Sequence, residues 1–121
     1  MGRPILEEAK IHGAIRAKVE GFHQAIVAEV QAAIKAHAVV VVGMRQNPVP
    51  KKARKALDAA GVAYHYIEHG SYFGMWRERL ALKMWTGWPT IPIIFVKGVL
   101  VGGYDDLQKL IDSGELETLL G

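Results

Sequence analysis

The sequence predicts an α/β domain in which helices cover a mixed sheet of four strands. Three observations carry that reading. Ala38-Val39-Val40-Val41-Val42-Gly43 is a β-branched run with no polar alternation. A second strand-like run, Val62 to Glu68, is separated from the first by a helical stretch. Thr90 to Val101 reads as a hairpin divided by Lys97-Gly98. At 121 residues the chain has room for one domain with a real core. Half of its residues are apolar and 22% charged, the balance of an ordinary soluble globular domain.

Each element has a local reason. From Ile11 onward, Ile15, Val19, Phe22, Ile26, Val30 and Ile34 recur at steps of three and four. That spacing puts them on one stripe of a helix, broken near Gly21. Residues 1–35 are expected as a helical extension and residues 36–121 as the main domain. The run from Ala38 to Gly43, apolar on both faces, is expected as a strand buried between helices. Asn47 suits a helix N-cap and Pro48 the first helical position, where no backbone donor is lost. Lys51 to Ala60 continue that helix and Gly61 ends it. Val62 to Glu68 follows as a strand, His69-Gly70-Ser71 as a turn and Phe73 to Trp85 as a helix. Trp76 and Trp85, with Tyr72 and Phe73, are expected as packing residues. After the hairpin a helix starts near Tyr104-Asp105-Asp106, and a short segment from Glu115 to Leu120 closes the chain.

Composition excludes several classes. Lys and Arg number 15 against 12 Asp and Glu, a charge of +3 that is too mild for a nucleic-acid-binding face. The longest apolar runs fall far short of the ~20 residues a membrane span requires. The start, MGRPILEEAK, carries no apolar signal region, so a cytoplasmic location is the default expectation. The cysteine count of zero rules out a disulfide, a thiolate nucleophile and any zinc or iron–sulfur ligation by this chain's own thiolates. His12, His23, His37, His65 and His69 show no zinc-type spacing, and no metal is expected.

Four stretches belong together: Trp88-Pro89-Thr90-Ile91-Pro92, Phe95-Val96-Lys97-Gly98, Leu100-Val101-Gly102-Gly103-Tyr104-Asp105-Asp106-Leu107, and Ser113-Gly114-Glu115-Leu116. In this combination the sequence resembles the glutaredoxins, the monothiol class more closely, over about Ala38 to Leu120. The resemblance implies a thioredoxin fold, a cis bond before Pro92, a glutathione groove and a place in cell redox homeostasis. It assigns Arg79, with Lys83 four residues on, to a glutathione carboxylate. It assigns Asp105 to the γ-glutamyl ammonium and the helix-start backbone at Gly103 and Tyr104 to the other carboxylate. Ile91 offers its backbone beside Pro92 as an added strand would, and Arg45 replaces the family's lysine next to the site.

The departures carry equal weight. Asn47-Pro48-Val49-Pro50 stands where the family has Cys-x-x-Cys or Cys-Gly-Phe-Ser. The nucleophilic position is therefore Asn47 and the resolving position Pro50. About four residues, Tyr72 to Met75, are inserted ahead of the following helix. An amide cannot attack a disulfide, and it cannot replace a thiolate on a two-iron cluster. The expectation is a cysteine-less, redox-inactive protein with no enzymatic role that keeps a weak glutathione groove for binding or regulation. A second reading is a protein-interaction scaffold working through the N-terminal helix and the aromatic insertion, its groove a relic. A third, a glutathione-dependent thiol–disulfide oxidoreductase or iron–sulfur carrier, requires that a native cysteine has been replaced in this chain. The same residues also have plain structural readings. Asn47 and the Asp105-Asp106 pair suit helix caps, and Lys51, Lys52, Arg54 and Lys55 suit a solvated face.

Overall fold

The first strand organises the molecule. In the computed structural model, which describes residues 3–70 and 74–121, β1 (Val39–Gly43) is buried along its whole length. Its side chains alternate between two cores. Val40 and Val42 join Ile26, Val30, Ile67, Leu82, Ile93 and Phe95 on one face. Val39 and Val41 join Leu57, Ile94, Val96, Leu107 and Leu116 on the other. An apolar run without alternation is what a strand covered on both faces needs.

A short 3-10 turn (Glu8–Lys10), α1 (Gly13–Glu20) and α2 (Gln24–Ala36) precede β1. There follow α3 (Pro48–Ala59), β2 (His65–Glu68), α4 (Trp76–Thr86), β3 (Ile93–Val96), β4 (Val99–Gly102), α5 (Tyr104–Asp112) and α6 (Glu115–Leu120). The sheet order is β2-β1-β3-β4. β1 pairs parallel to β2 and antiparallel to β3, and β3 pairs antiparallel to β4. The sheet is thus mixed and four-stranded, with helices on both faces.

Four differences from the sequence-based expectation have identifiable causes. The N-terminal stripe does not stay buried. Ile26 and Val30 reach the core, whereas Ile15 and Val19 remain 47% and 43% exposed. His23, at φ +44, sits in the left-handed region between α1 and α2, so the stripe loses its register there. β2 begins only at His65, because the Val62 N–H is already bonded to the Leu57 carbonyl (3.0 Å) in the α3 C-terminal turn. α4 begins at Trp76 rather than Phe73, with Met75 at φ +59 preventing an earlier helical start; Tyr72 and Phe73 lie outside the described residues. Trp76 does not serve as core: it is 58% exposed, because α4 turns Arg79, Ala81 and Leu82 inward. Trp85 packs against the Phe95 ring at 6.0 Å while remaining 37% exposed. Lys97 and Gly98 both have positive φ, the conformation that a two-residue hairpin turn demands.

Candidate functional site

The loop between β1 and α3 is held by backbone bonds to the end of β2. The Arg45 N–H donates to the Gly70 carbonyl (2.7 Å) and the His69 N–H to the Gly43 carbonyl (2.9 Å). Asn47 then caps α3, its Oδ1 accepting the Val49 N–H at 3.0 Å. With Pro48 at the first helical position, the capping chemistry accounts for the local sequence. Pro50 is buried, and a Cβ added at Gly43 would lie 2.7 Å from the Pro50 Cβ and 2.7 Å from the Tyr66 Oη. Glycine is needed at the end of β1 because proline and tyrosine close over it.

Tyr66 was not legible as a site residue in the sequence. Its hydroxyl donates to Glu68 Oε1 at 3.2 Å, and the Arg54 guanidinium stacks on its ring at 3.9 Å. Burial first, then the Glu68 charge, push the phenol up to about 12, with Arg54 working in the opposite sense. Tyr66 and Glu68 are two apart on one strand and so share a face; that period was the available signal. Arg45, Asn47, Lys51, Arg54 and Glu68 line a surface depression of about 370 Å³. Three cations, one carboxylate and a helix N-terminus favour an anion there. No residue that lines the depression carries a thiol.

A second group forms on the far strands. The Ile91–Pro92 bond is cis, with Pro92 buried and Ile91 half-buried. Gly103 lies against both the proline and Trp88: an added Cβ would meet the Trp88 ring at 3.6 Å and the Pro92 carbonyl oxygen at 3.7 Å. The Gly103 N–H donates to Asp106 Oδ2 at 3.1 Å, so Asp106 rather than Asp105 closes the start of α5. Asp105 is exposed and free of that task, and Tyr104 is half-buried. The Trp88 Nε1 is buried with no hydrogen-bond partner among the described residues.

Arg79 is held from within the protein. It is buried, and its Nη1 donates to the His69 carbonyl (3.0 Å) and the Gly74 carbonyl (2.7 Å). The guanidinium is thus tied to the segment leaving β2, while Lys83 is half-exposed. Both protons of that nitrogen are taken, so a ligand carboxylate would meet only the other side of the group. Beside it His69 is buried, its Nε2 3.3 Å from Glu29 Oε1. Desolvation lowers the His69 pKa, Glu29 and Glu78 oppose that shift, and Arg79 adds to it. Among the described residues no cluster of three or more metal-ligating side chains occurs, and no helix is long and apolar enough to cross a membrane.

An iron–sulfur cluster, which the monothiol resemblance implies, does not fit these residues. Its anchoring position carries a hydrogen-bonded amide, the next candidate is a proline, and the chain contains no thiol.

Comparison with known proteins bears on the whole arrangement. The glutaredoxin family model matches residues 39–101. A glutaredoxin-like protein of Dictyostelium discoideum is 46% identical over 98 residues, covering 81% of this chain and 80% of that one. Glutaredoxin 3 of Danio rerio is 40% identical over 56 residues, 45% of this chain but only 17% of that longer protein. Among solved structures, the buckwheat glutaredoxin–glutathione complex superposes with a TM-score of 0.70 at 23% identity, covering 84% of this chain and 92% of that one. That likeness establishes the thioredoxin fold. The chain belongs to the glutaredoxin family, as a member without cysteine.

Proposed function

We propose that this protein is a redox-inactive glutaredoxin-like domain of the cytoplasm that keeps a weak, non-covalent glutathione groove for a binding or regulatory role. The observation that carries the reading is the Asn47 side chain. It stands where the resemblance places the nucleophilic cysteine, and its Oδ1 is engaged as the cap of α3. A helix N-terminus lowers a thiol's pKa and so creates a nucleophile, but it has no comparable effect on an amide. Thiol–disulfide exchange at this position therefore lacks its first step.

The groove reading rests on what surrounds that position. The cis Ile91–Pro92 segment, the Gly103–Asp105 helix start and the cations Arg45 and Lys51 offer backbone and charge to a peptide-like anion. Lys83 and the remaining donors of Arg79 are weaker contributors, given the internal bonds of Arg79. Exposed charge contacts contribute at most ~1 kcal/mol each and backbone hydrogen bonds about 1 kcal/mol net. Set against the ordering of a flexible tripeptide, these give a Kd on the order of 1 mM or weaker.

A mixed-disulfide reduction assay with glutathione tests the redox half of the proposal. The wild-type chain is expected to match the uncatalysed rate. Asn47→Cys is expected to gain partial activity, limited by Pro50. Wild-type turnover above background would show a nucleophile that the reading lacks.

A further inference from the structure

α4 has two apolar faces, and only one of them serves the fold. Ala81 and Leu82 point into the core, while Trp76, Leu80 and Met84 form a second stripe at 58%, 38% and 57% exposure. At about 100° per residue these three, spaced i, i+4 and i+8, make a continuous outward ridge. Arg77 and Lys83 lie three residues before and after Leu80, which places them on opposite edges of the ridge. Arg77 rests over the Trp76 ring at 5.2 Å, and among the described residues neither cation forms an ion pair. Beside the ridge is a notch of about 250 Å³, walled by Val19 and Phe22 on one side and Met84 and Trp85 on the other. An exposed apolar patch rimmed by charge marks a contact surface.

The rim selects the occupant. In a second copy packed antiparallel about a two-fold at Leu80, the Arg77 edges of the two chains would adjoin, as would the Lys83 edges, so like charges would meet at both edges. A bilayer, being flat, would leave the notch unfilled. A peptide helix suits each feature: its apolar stripe covers the ridge, one side chain fills the notch, and carboxylates on its flanks meet Arg77 and Lys83. We infer that the outward face of α4, with the Val19–Met84 notch, docks an acidic amphipathic helix of a partner protein. This surface shares Lys83 alone with the proposed glutathione groove.

The test uses the full chain and two synthetic peptides of about 15 residues, long enough to hold a helix. Both carry leucine at helical spacing; one has glutamate on both flanks and the other lysine at the same positions. The acidic peptide is expected to shift the amide resonances of Val19, Trp76, Leu80 and Met84, leaving Ile91 and Asp105 in place. Arg77→Glu with Lys83→Glu should weaken that binding roughly fivefold to tenfold and favour the lysine peptide. Trp76→Ala should weaken both, and its exposure leaves the fold intact. Equal binding of the two peptides to the wild type would overturn the inference. So would shifts at these residues with vesicles containing phosphatidylserine but none with the acidic peptide. Concentration-dependent dimerisation of the chain alone with the same shifts would assign the face to a second copy instead.

Discussion

The two sides of the candidate groove have been treated differently. On the α3 side the working residue is a half-buried side chain, Asn47, that meets the rest of the protein through one bond to the Val49 N–H. On the β3–α5 side the working parts are backbone: a cis bond before a buried proline, and two glycines pressed against Asp106, Trp88 and Pro92. The first kind of residue can change chemistry at the cost of a helix cap alone. The second kind is fixed by its surroundings: a Cβ at Gly102 would run into the Asp106 side chain, and Gly103 already rests in contact distance of Trp88 and Pro92. The framework around Asn47 is thus held by packing that does not depend on the side chain at that position.

The largest predicted effect comes from testing the rigid side. Gly102 has φ +111, and a Cβ there would lie 2.5 Å from Asp106 Oδ2. Gly102→Ala should cost about 3 kcal/mol, from the strained backbone together with the displaced cap of α5, read as a lowered denaturation midpoint. On the permissive side, Asn47→Ala should cost only ~1 kcal/mol as a lost cap, and Asn47→Asp close to nothing. If Asn47→Ala were the more damaging of the two, the contrast between the sides would be wrong.

A pH series sharpens the contrast by probing the buried region behind the groove, where His69 meets Glu29, Glu78 and Arg79. Burial lowers its pKa in the folded chain below the ordinary value of 6.5. The unfolded chain therefore takes up this proton first as the pH falls, and the stability contributed by neutral His69 is full above 6.5 and lost progressively below it. Denaturation midpoints at pH 7.5 and 5.5 should differ more in the wild type than in His69→Gln.

Much of this was legible in sequence, for reasons that differ by residue. The strands of the mixed sheet followed from the two-sided apolar run of β1 and from the Lys97-Gly98 turn, since both signals are local. Asn47 and Pro48 declared a helix start because capping is chemistry between neighbours in the chain. The inward turn of Arg79 was not legible: its partners, the His69 and Gly74 carbonyls, are backbone groups without a residue-type signature. Nor was the exposure of Trp76, because α4 carries apolar residues on two faces and periodicity does not say which one meets the sheet. The Tyr66–Arg54–Glu68 group depended on a contact between β2 and α3 that only the fold creates.

The most direct test of a groove kept without its nucleophile is a titration of the isotope-labelled chain with reduced glutathione up to about 10 mM, well above the ~1 mM scale expected for binding. The account predicts fast-exchange shifts confined to Ile91, the Gly103–Asp105 turn and the Arg45–Asn47 loop, weakening as salt rises. Unmoved resonances at all three places would contradict it and leave the groove a relic.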